Sequence, residues 1–559
     1  MEFKSVSIKN FRNFENIEIN ISNKNIFFGL NDIGKTNFLY AMRYMFDKDI
    51  RKNGFLDSDF HKKNVEVPIE IIVVIDISDT NDDDCQKLRA QMKGALFSGQ
   101  DTVFIKLIAK YNLQELIAMP IMYWGGDIEN LYEIKQRGYR YDIDYVFNVI
   151  YIDSYVDLHN LFKKNISSLI KSNDEIDEET LKSIQDNVVN LNENISSLSG
   201  VKEFQEKITP EYKKFRGEDI SISVKSEIAV KGLYSNIVPY IKKNNDDNLY
   251  PTAGEGRKKL LVYSIYDLLS KENEKRNINL FLIEEPENHL HKSLQIALSQ
   301  MLFSNDKYKY LYITTHSPFV LYDMNNVSLI RIFHNLSIDS ASYFYKVQSD
   351  FEKKRKMLNT NLTEAIFANK VLLVEGFSEL LLFDRVLSTI VPFYEADGVY
   401  ILPVDGVGFP KYCEVLDSLN IKRIIKTDND LRRNKGDTEY NSYGFDRCNK
   451  IIGEKILPSK SYLDDNAINK RSLYEDNKKV LDDIRKNYGI FLSKVDLEND
   501  LDEILHDELC KYLSVADPVA HLQKAKRFNM ADLVGELTDD DCRKIFEHYN
   551  FACLKELVK

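Results

Sequence analysis

Short apolar runs of strand length alternate with amphipathic stretches through the first part of the 559-residue chain, a pattern that predicts an α/β fold. The strands predicted in this part are Phe3–Ile8, Ile17–Ile21, Ile26–Phe28 and Val67–Ile75. The same alternation of strand-like and helix-like segments returns at residue 233, with predicted strands at Asn279–Ile283 and Tyr308–Thr314. We therefore expect residues 1–152 and 233–345 to be two parts of one α/β domain.

Between residues 153 and 232 the pattern changes to a narrow apolar stripe at helical spacing. Polar residues separate its apolar positions, which are Leu169, Ile176, Leu181, Ile184, Val188, Leu191, Ile195 and Leu198. Such a stripe must be covered by a neighbouring helix or by another subunit. We predict a helical insertion that mediates dimerisation, and an intrachain helical hairpin is the alternative.

A second α/β block follows a polar, basic stretch at residues 352–356. Its predicted strands are Lys370–Val374, Tyr400–Val404 and Ile421–Thr427, and the rest of the chain has mainly helical character. We expect residues 346–559 to form a separate C-terminal domain.

The amino-acid composition limits the classes of protein to which this chain can belong. The net charge of −12, from 75 basic and 87 acidic residues, means that nucleic-acid contacts must come from local basic patches. Six scattered cysteines form no CxxC pair and no cluster with zinc spacing. The chain start lacks the apolar core of a secretory signal, and its apolar runs are far shorter than the ~18 residues of a membrane span. We expect a reduced, cytoplasmic protein without a membrane contact, which excludes transporters with their own membrane domain, disulfide scaffolds and zinc fingers.

A phosphate-binding loop is predicted where Gly29-Leu30-Asn31-Asp32-Ile33-Gly34-Lys35-Thr36 matches GxxxxGK[ST] between a strand and an amphipathic helix. The glycines let backbone N–H groups turn toward phosphates at a helix N-terminus. Lys35 would reach the β- and γ-phosphates and Thr36 would ligate Mg²⁺, whereas the alternative is a chance glycine-rich turn. The predicted ATP contacts in this loop are Asn31, Gly34, Lys35, Thr36 and Asn37.

A later strand supplies the acidic partner of this loop. Glu284 at its end would hold the magnesium shell, and Glu285 would orient or deprotonate the attacking water. Two further segments resemble parts of SMC- and RecF-like ATP-binding-cassette heads, namely residues 8–14 and the signature-like Gly254–Arg257. His316 resembles the histidine that senses the γ-phosphate in such heads. This resemblance implies an ABC/SMC-type head that sandwiches ATP between two copies, and therefore a homo-oligomer.

Carboxylates also close two predicted strands of the C-terminal domain. Glu375 follows the first, with Glu379 one helical turn later, and Asp428 and Asp430 follow the second. Because parallel strands end at one sheet edge, these side chains are expected to converge. Two like charges roughly 4 Å apart repel by about 4 kcal/mol at an effective dielectric constant near 20, and a divalent cation relieves that repulsion. Mg²⁺, Mn²⁺ or Ca²⁺ would suit oxygen ligands and phosphodiester cleavage, and ordinary surface acids are the alternative.

Other residues could complete this centre. Asp496, Glu498 and Asp500 share one face if their segment is extended and diverge if it is helical. Metal roles are predicted for Asp496 and Glu498, and Lys524 or Lys526 could stabilise the scissile phosphate. Basic residues that could bind DNA phosphates are Arg432, Arg433, Lys435, Lys470 and Arg471, with a solvated charge run as the alternative.

A strand ending in Glu and a later strand ending in DxD together resemble the Toprim domain. An ATPase head followed by Toprim resembles the OLD family of ATP-dependent endonucleases, most closely those of Gabija antiphage systems. The segments that carry this resemblance are Asn10–Glu15, Asn31–Tyr40, Ile424–Asp430 and Phe551–Val558. It implies a nuclease centre made of Glu375, Glu379, Asp428, Asp430, Asp496 and Lys526.

The resemblance also implies Mg²⁺ or Mn²⁺ as cofactor and double-stranded DNA as substrate. It further implies nicking restrained by bound nucleotide, a homotetramer, and a helicase-like partner in phage defence. Two other functions stay open at this point. One is a non-nucleolytic SMC/RecF-like ATP-gated DNA clamp, and the other is a Toprim topoisomerase or primase.

Overall fold

The computed structural model describes residues 1–29, 33–155, 192–214, 220–226, 237–243, 249–251, 254–273, 277–304, 306–324, 326–335, 338–347, 360–404, 408–433 and 438–559. The chain divides into two units, Met1–Lys353 (unit 1) and Lys354–Lys559 (unit 2). Within the described ranges, every helix is too short or too polar to span a lipid bilayer.

Unit 1 is built on β-sheets. Its strands are β1 (Glu2–Phe11), β2 (Phe14–Asn20), β3 (Lys24–Phe28), β4 (Ile69–Asp76), β5 (Thr102–Ala109), β6 (Pro120–Gly125), β7 (Tyr132–Glu133), β8 (Gln136–Arg137), β9 (Arg140–Tyr141), β10 (Phe147–Ile152), β11 (Ile220–Ser226), β12 (Ile237–Lys243), β13 (Leu249–Pro251), β14 (Ile278–Glu284), β15 (Tyr310–Thr314), β16 (Ser328–Asn335) and β17 (Ile338–Lys346). One sheet is antiparallel in the order β2-β1-β4-β5-β6-β7. Another has the order β10-β14-β15-β3-β16-β17 and is parallel except for β17.

Helices cover these sheets and connect their strands. The helices of unit 1 are α1 (Lys35–Phe46), α2 (Lys48–Arg51), α3 (Asp83–Gln91), α4 (Ser199–Lys213), α5 (Glu255–Asn273) and α6 (Lys292–Ser304). Short 3₁₀ turns lie at Asp57–Asp59, His61–Lys63, Asp142–Tyr145, Asp306–Tyr308 and Pro318–Leu321. The buried ring of Phe38 on α1 lies 4.1 Å from the ring of Phe27 on β3, so the helix is packed onto the strand that precedes it.

The predicted helical insertion is described only in part. Its stripe positions from Leu169 to Leu191 lie outside the described residues, whereas α4 is helical. Residues 220–226 form β11 instead of continuing a helix, and β11 pairs with β12 in an antiparallel sheet. The apolar and polar residues of Ile220-Ser221-Ile222-Ser223-Val224 alternate at the two-residue period of a strand, and the apolar ones are buried.

Unit 2 surrounds a parallel sheet in the order β19-β18-β20-β23. Its strands are β18 (Lys370–Val374), β19 (Val399–Pro403), β20 (Lys422–Thr427), β21 (Tyr440–Asn441), β22 (Ser461–Tyr462) and β23 (Ile490–Leu492). The β18 strand is almost continuously apolar because helices cover both faces of a parallel sheet. The predicted starts and ends of β18, β19 and β20 lie within one residue of those observed.

The helical character predicted for the rest of unit 2 is also observed. The helices are α7 (Thr360–Ala365), α8 (Phe377–Ile390), α9 (Phe409–Ser418), α10 (Tyr443–Ile452), α11 (Ala467–Asp476), α12 (Lys478–Tyr488), α13 (Leu497–Leu513), α14 (Pro518–Lys524), α15 (Lys526–Glu536), α16 (Asp539–Glu547) and α17 (Ala552–Val558), with a 3₁₀ turn at Tyr549–Phe551. Side chains of α8, α13 and the C-terminal helices share one apolar core with β18 and β20.

A buried ion pair ties β20 to α13. The Nζ atom of Lys426 lies 2.7 Å from Asp500 Oδ2 and also donates to the carbonyl oxygen of Asn550. Lys426→Met would leave the Asp500 carboxylate buried without this cation, which costs about 3–5 kcal/mol. We expect a clearly lower melting temperature by calorimetry. Lys460→Met, which removes an exposed pair with Asp476, is the control and should shift it little; equal shifts would contradict the argument.

Candidate functional site

The phosphate-binding loop lies between β3 and α1. Gly29 and Gly34 have φ values of +142° and +107°, which favour glycine. A Cβ atom on Gly34 would lie 2.2 Å from the Asn13 side chain, so any other residue here would have to displace Asn13. Asn31 lies outside the described residues, and its contact with ATP stays a prediction.

Residues of the N-terminal segment brace this loop. Asn13 Nδ2 donates to the Ile33 carbonyl oxygen at 2.6 Å, and Asn13 Oδ1 accepts from Asn37 Nδ2 at 2.8 Å. Arg12 donates to Asn37 Oδ1 at 3.0 Å and to Asp59 at 2.9 Å. Asn37 therefore links the segment of residues 8–14 to the start of α1.

Glu284, Glu285 and His316 converge on the loop because β3, β15 and β14 are adjacent parallel strands. His316 Nε2 lies 3.7 Å from Glu285 Oε1. Burial and the nearby charge of Lys35 lower the pKa of His316, which favours its neutral ring. Lys35 itself is buried and donates to the Gly29 carbonyl oxygen at 3.0 Å. The sequence-predicted loop, acidic strand end and histidine thus form one neighbourhood.

Glu284 has the environment expected of a residue that faces a magnesium-bound nucleotide. It is buried, and burial raises its pKa, while the nearby hydroxyls of Tyr151 and Thr36 act in the opposite direction. No described residue donates a hydrogen bond to its Oε1 atom. A buried carboxylate oxygen without a donor, next to Thr36, fits the coordination shell of Mg²⁺.

Two residues that sequence reasoning missed complete this neighbourhood. Glu287 is half-buried, partial burial raises its pKa, and its Oε1 accepts from the His316 backbone N–H at 2.6 Å. Lys259 on α5 donates to the Glu285 carbonyl oxygen at 2.6 Å, and burial lowers its pKa to about 8. Glu285 has a φ of +39°, a conformation that costs energy in a non-glycine residue, so Lys259 helps to hold a strained turn. Glu287 could have been found from the sequence only through its position near Glu285. Lys259 could have been found only through its position near Gly254–Arg257.

Gly34→Ala tests the geometry of the loop. The methyl group would be strained at a φ of +107° and would push Asn13 away from Ile33 and Asn37. A cost of about 1–3 kcal/mol predicts ATP binding about fivefold or more weaker, measured with a fluorescent ATP analogue. Gly200→Ala is the matched control, because a Cβ there meets open space on α4. Equal affinity of Gly34→Ala and wild type would contradict the assignment.

The predicted carboxylates of unit 2 meet at the ends of β18 and β20. Glu375 Oε1 accepts from the Asp428 backbone N–H at 2.8 Å and from the Thr427 hydroxyl at 2.5 Å. The two strands are adjacent and parallel, so their carboxyl ends lie side by side. We call Glu375, Glu379, Asp428, Asp430, Asp496 and Glu498 the carboxylate centre.

Electrostatic crowding is strong in this centre. Burial, followed by the charges of Glu375 and Glu498, raises the pKa of Glu379 to about 7. Burial also raises the pKa of Asp428, and the neighbouring carboxylates that add to this effect are Glu375, Glu379, Asp496 and Asp430. Lys526 Nζ lies 3.5 Å from Glu498 Oε1, and although burial opposes it, the surrounding carboxylates raise the pKa of this lysine.

The segment of Asp496, Glu498 and Asp500 is helical rather than extended, so its acids diverge. Asp496 caps α13, where its Oδ1 accepts from the Asn499 N–H at 2.8 Å, and its Oδ2 accepts from Gln523 at 2.7 Å. Glu498 faces Lys526, whereas Asp500 pairs with Lys426. The alternative in which Asp496, Glu498 and Asp500 share one face of an extended segment is therefore wrong.

The predicted basic residues lie in different surroundings. Lys524 is exposed at the end of α14. The guanidinium groups of Arg432 and Arg433 lie 4.6 Å and 5.3 Å from the ring centres of Tyr443 and Tyr440. Lys470 pairs with Asp465 at 3.1 Å, and Arg471 donates to Asn499 at 3.4 Å. Lys435 lies outside the described residues.

Arg447 was not predicted, yet it lies inside the carboxylate centre. It extends from α10, and its Nη1 donates to Glu375 Oε1 and to the Thr427 hydroxyl. Its Nη2 donates to Asp430 Oδ2. No spacing rule connects Arg447 with these acids, because it comes from a separate helix.

The carboxylate centre fits a divalent cation in its chemistry. Its donors are oxygen atoms of buried or half-buried acids, and no described residue donates a hydrogen bond to the buried Glu498 Oε2. Within the described part of the chain, however, no three acidic, histidine or cysteine side chains are close enough to hold one ion. In this arrangement the guanidinium of Arg447 bonds Glu375 and Asp430 instead.

The raised pKa of Glu379 predicts a pH dependence of stability. Its carboxyl has a pKa of about 7 when folded, above the ordinary 4.5, so the folded protein holds this proton more tightly. The resulting stability is fully present below pH 4.5 and is lost as the pH rises through 7. In EDTA, the melting temperature should fall over this interval, and Glu379→Gln should flatten the fall. Identical slopes for both proteins would contradict the assignment.

Two domain families match the chain. The AAA ATPase domain matches residues 1–321, and the "Overcoming lysogenization defect protein-like, TOPRIM domain" matches residues 366–430. An α/β ATPase domain followed by a C-terminal Toprim domain defines the class, an OLD-like ATP-linked nuclease, and confirms the predicted fold class.

The chain is 44% identical over 573 residues to Endonuclease GajA of Bacillus cereus (strain VD045), covering 100% of this chain and 99% of that protein. It belongs to the GajA family of OLD-like endonucleases and is a nuclease. The SMC head domain of Pyrococcus furiosus bound to part of ScpA is 12% identical with a TM-score of 0.39, over 64% of this chain and 99% of that one. The SMC head domain of Thermotoga maritima has a TM-score of 0.33 at 12% identity, over 62% and 99%.

Proposed function

We propose that this chain is a nucleotide-regulated, divalent-metal-dependent endonuclease that nicks double-stranded DNA in antiviral defence. The observation that carries the proposal is the carboxylate centre, in which Glu375 and Asp428 are in contact at the ends of β18 and β20. Crowded, buried acids in a nuclease family are best explained by a catalytic need for cations.

In this proposal Glu375, Asp428 and Asp430 hold Mg²⁺ or Mn²⁺ together with Glu379, Asp496 and Glu498. Ions bound there supply an activated water and neutralise charge on the leaving oxygen. Lys526 would contact the scissile phosphate, because its ammonium group lies 3.5 Å from Glu498 and its side chain is 52% exposed. The Thr427 hydroxyl and the Asp428 N–H keep Glu375 directed toward the neighbouring strand.

Nucleotide control is assigned to unit 1. Lys35 and Thr36 would bind the ATP phosphates and their Mg²⁺, with Asn31, Gly34 and Asn37 shaping the loop. Glu284 would complete the metal shell, and Glu285 would orient the attacking water. His316 would sense the γ-phosphate, because its ring is held next to both Lys35 and Glu285.

The assembly is part of the same proposal. By resemblance to its family, the chain acts in the cytoplasm as a homo-oligomer, a dimer of dimers, with a helicase-like GajB partner. The proposed segments are an ATPase head (1–152 and 233–345), a dimerisation insertion (153–232) and a Toprim nuclease domain (346–559).

Plasmid nicking tests the nuclease centre. With Mg²⁺ or Mn²⁺, Glu375→Ala should lower the nicking rate at least about a hundredfold. The substitution removes a proposed metal ligand that follows β18 and also bonds the end of β20. Glu454→Ala, which removes an exposed acid of the same unit, should leave the rate unchanged. Undiminished nicking by Glu375→Ala would remove the assigned centre. ATP-dependent DNA binding without strand breaks under any metal would favour the clamp alternative.

Lys35→Ala tests the separation of the two functions. It should change the response of nicking to ATP and leave Mn²⁺ binding by unit 2 unaltered, because Lys35 belongs to the phosphate-binding loop of unit 1. Calorimetric titration with Mn²⁺ in the absence of nucleotide measures the second property. Loss of metal binding at unit 2 in this variant would contradict the proposal.

A further inference from the structure

The carboxylate centre contains a positive charge of its own in the guanidinium group of Arg447. The side chain is buried, with 5% of its surface exposed. An arginine remains charged in proteins, so it must be neutralised where it is buried. The acids that do so are Glu375 and Asp430, each of which accepts from a different Nη atom.

Arg447 bonds one oxygen of each of two acids that are proposed to hold the metal ion. Glu375 Oε1 accepts from the Thr427 hydroxyl, the Asp428 N–H and Arg447 Nη1, so its lone pairs are engaged. Asp430 Oδ2 accepts from Nη2. Mg²⁺ binds oxygen ligands at about 2.0–2.1 Å, so it cannot share the lone pairs of Glu375 Oε1 and Asp430 Oδ2 with the guanidinium. The two cations would also repel each other.

Glu375 has other supports besides Arg447. The Thr427 hydroxyl and the Asp428 N–H hold the same oxygen from the neighbouring strand. Arg447 is therefore not needed to aim Glu375. Its own position is defined by α10 and by Tyr443, whose ring centre lies 5.3 Å from the guanidinium carbon.

We propose that Arg447 is a resident counter-cation of the carboxylate centre, which a divalent metal ion must displace from Glu375 and Asp430 in order to bind. The inference rests on the proposed function. The bridge stabilises the metal-free fold and lowers metal affinity by the free energy of the bonds that are broken.

Calorimetric titration with Mn²⁺ alone tests this competition. Arg447→Met removes the charge and keeps an unbranched side chain, and it should bind Mn²⁺ at least about tenfold more tightly than wild type. Arg447→Lys keeps the charge without the two-pronged bridge and should lie between them. Lys450→Met on the same helix removes an exposed charge and should leave the affinity unchanged. Unchanged or weaker binding by Arg447→Met would overturn the proposal.

Stability gives a second readout that does not depend on activity. In EDTA, Arg447→Met should melt at a lower temperature than wild type, because Glu375 and Asp430 lose their counter-charge, and Mn²⁺ should reduce the difference. If this variant does not fold, hydrogen exchange of wild-type residues 443–452 replaces it. Exchange there should become faster on addition of Mn²⁺, and slower or unchanged exchange would overturn the proposal.

The outcomes separate this inference from the function on which it rests. If neither wild type nor Arg447→Met binds Mn²⁺, the proposed metal dependence itself fails. If wild type binds Mn²⁺ and Arg447→Met binds it no better, metal dependence stands and displacement of Arg447 is wrong.

Discussion

Repulsion among the acids of the carboxylate centre is the constraint on which the C-terminal unit depends. Adjacent parallel strands bring Glu375 and Asp428 together, and the burial of Asp428 reduces the screening of its charge by water. The structure offsets this repulsion in several ways. The pKa of Glu379 is raised to about 7, Lys526 faces Glu498, and Arg447 bridges Glu375 and Asp430.

The same principle organises the nucleotide site of the first unit. Burial raises the pKa values of Glu284 and Glu287, and lowers that of Lys259. Lys259 and the strained Glu285 are joined by a hydrogen bond, so the position of the acid depends on helix α5. Helix α5 begins within the signature-like segment, so that segment and the Lys259 side chain that bonds Glu285 belong to one helix.

Sequence reasoning succeeded where local pattern determines structure. The loop before Lys35, the strand ends at Glu284, Glu375 and Asp428, and most strands followed from short runs of residues, since a parallel sheet collects its strand ends at one edge. It failed where partners come from distant parts of the chain. Arg447 belongs to an ordinary amphipathic helix, and no spacing distinguishes it from a solvated arginine. The acids at Asp496 to Asp500 were ambiguous because their arrangement depends on whether the segment is helical.

The most direct test of the account is a crystal structure of the protein soaked in Mn²⁺, with anomalous scattering used to locate the ions. The account predicts manganese at the carboxyl ends of β18 and β20, in contact with Glu375 and Asp428, and Arg447 withdrawn from Glu375 and Asp430. Manganese absent from this edge, with the Arg447 bridge intact at a saturating concentration, would contradict it.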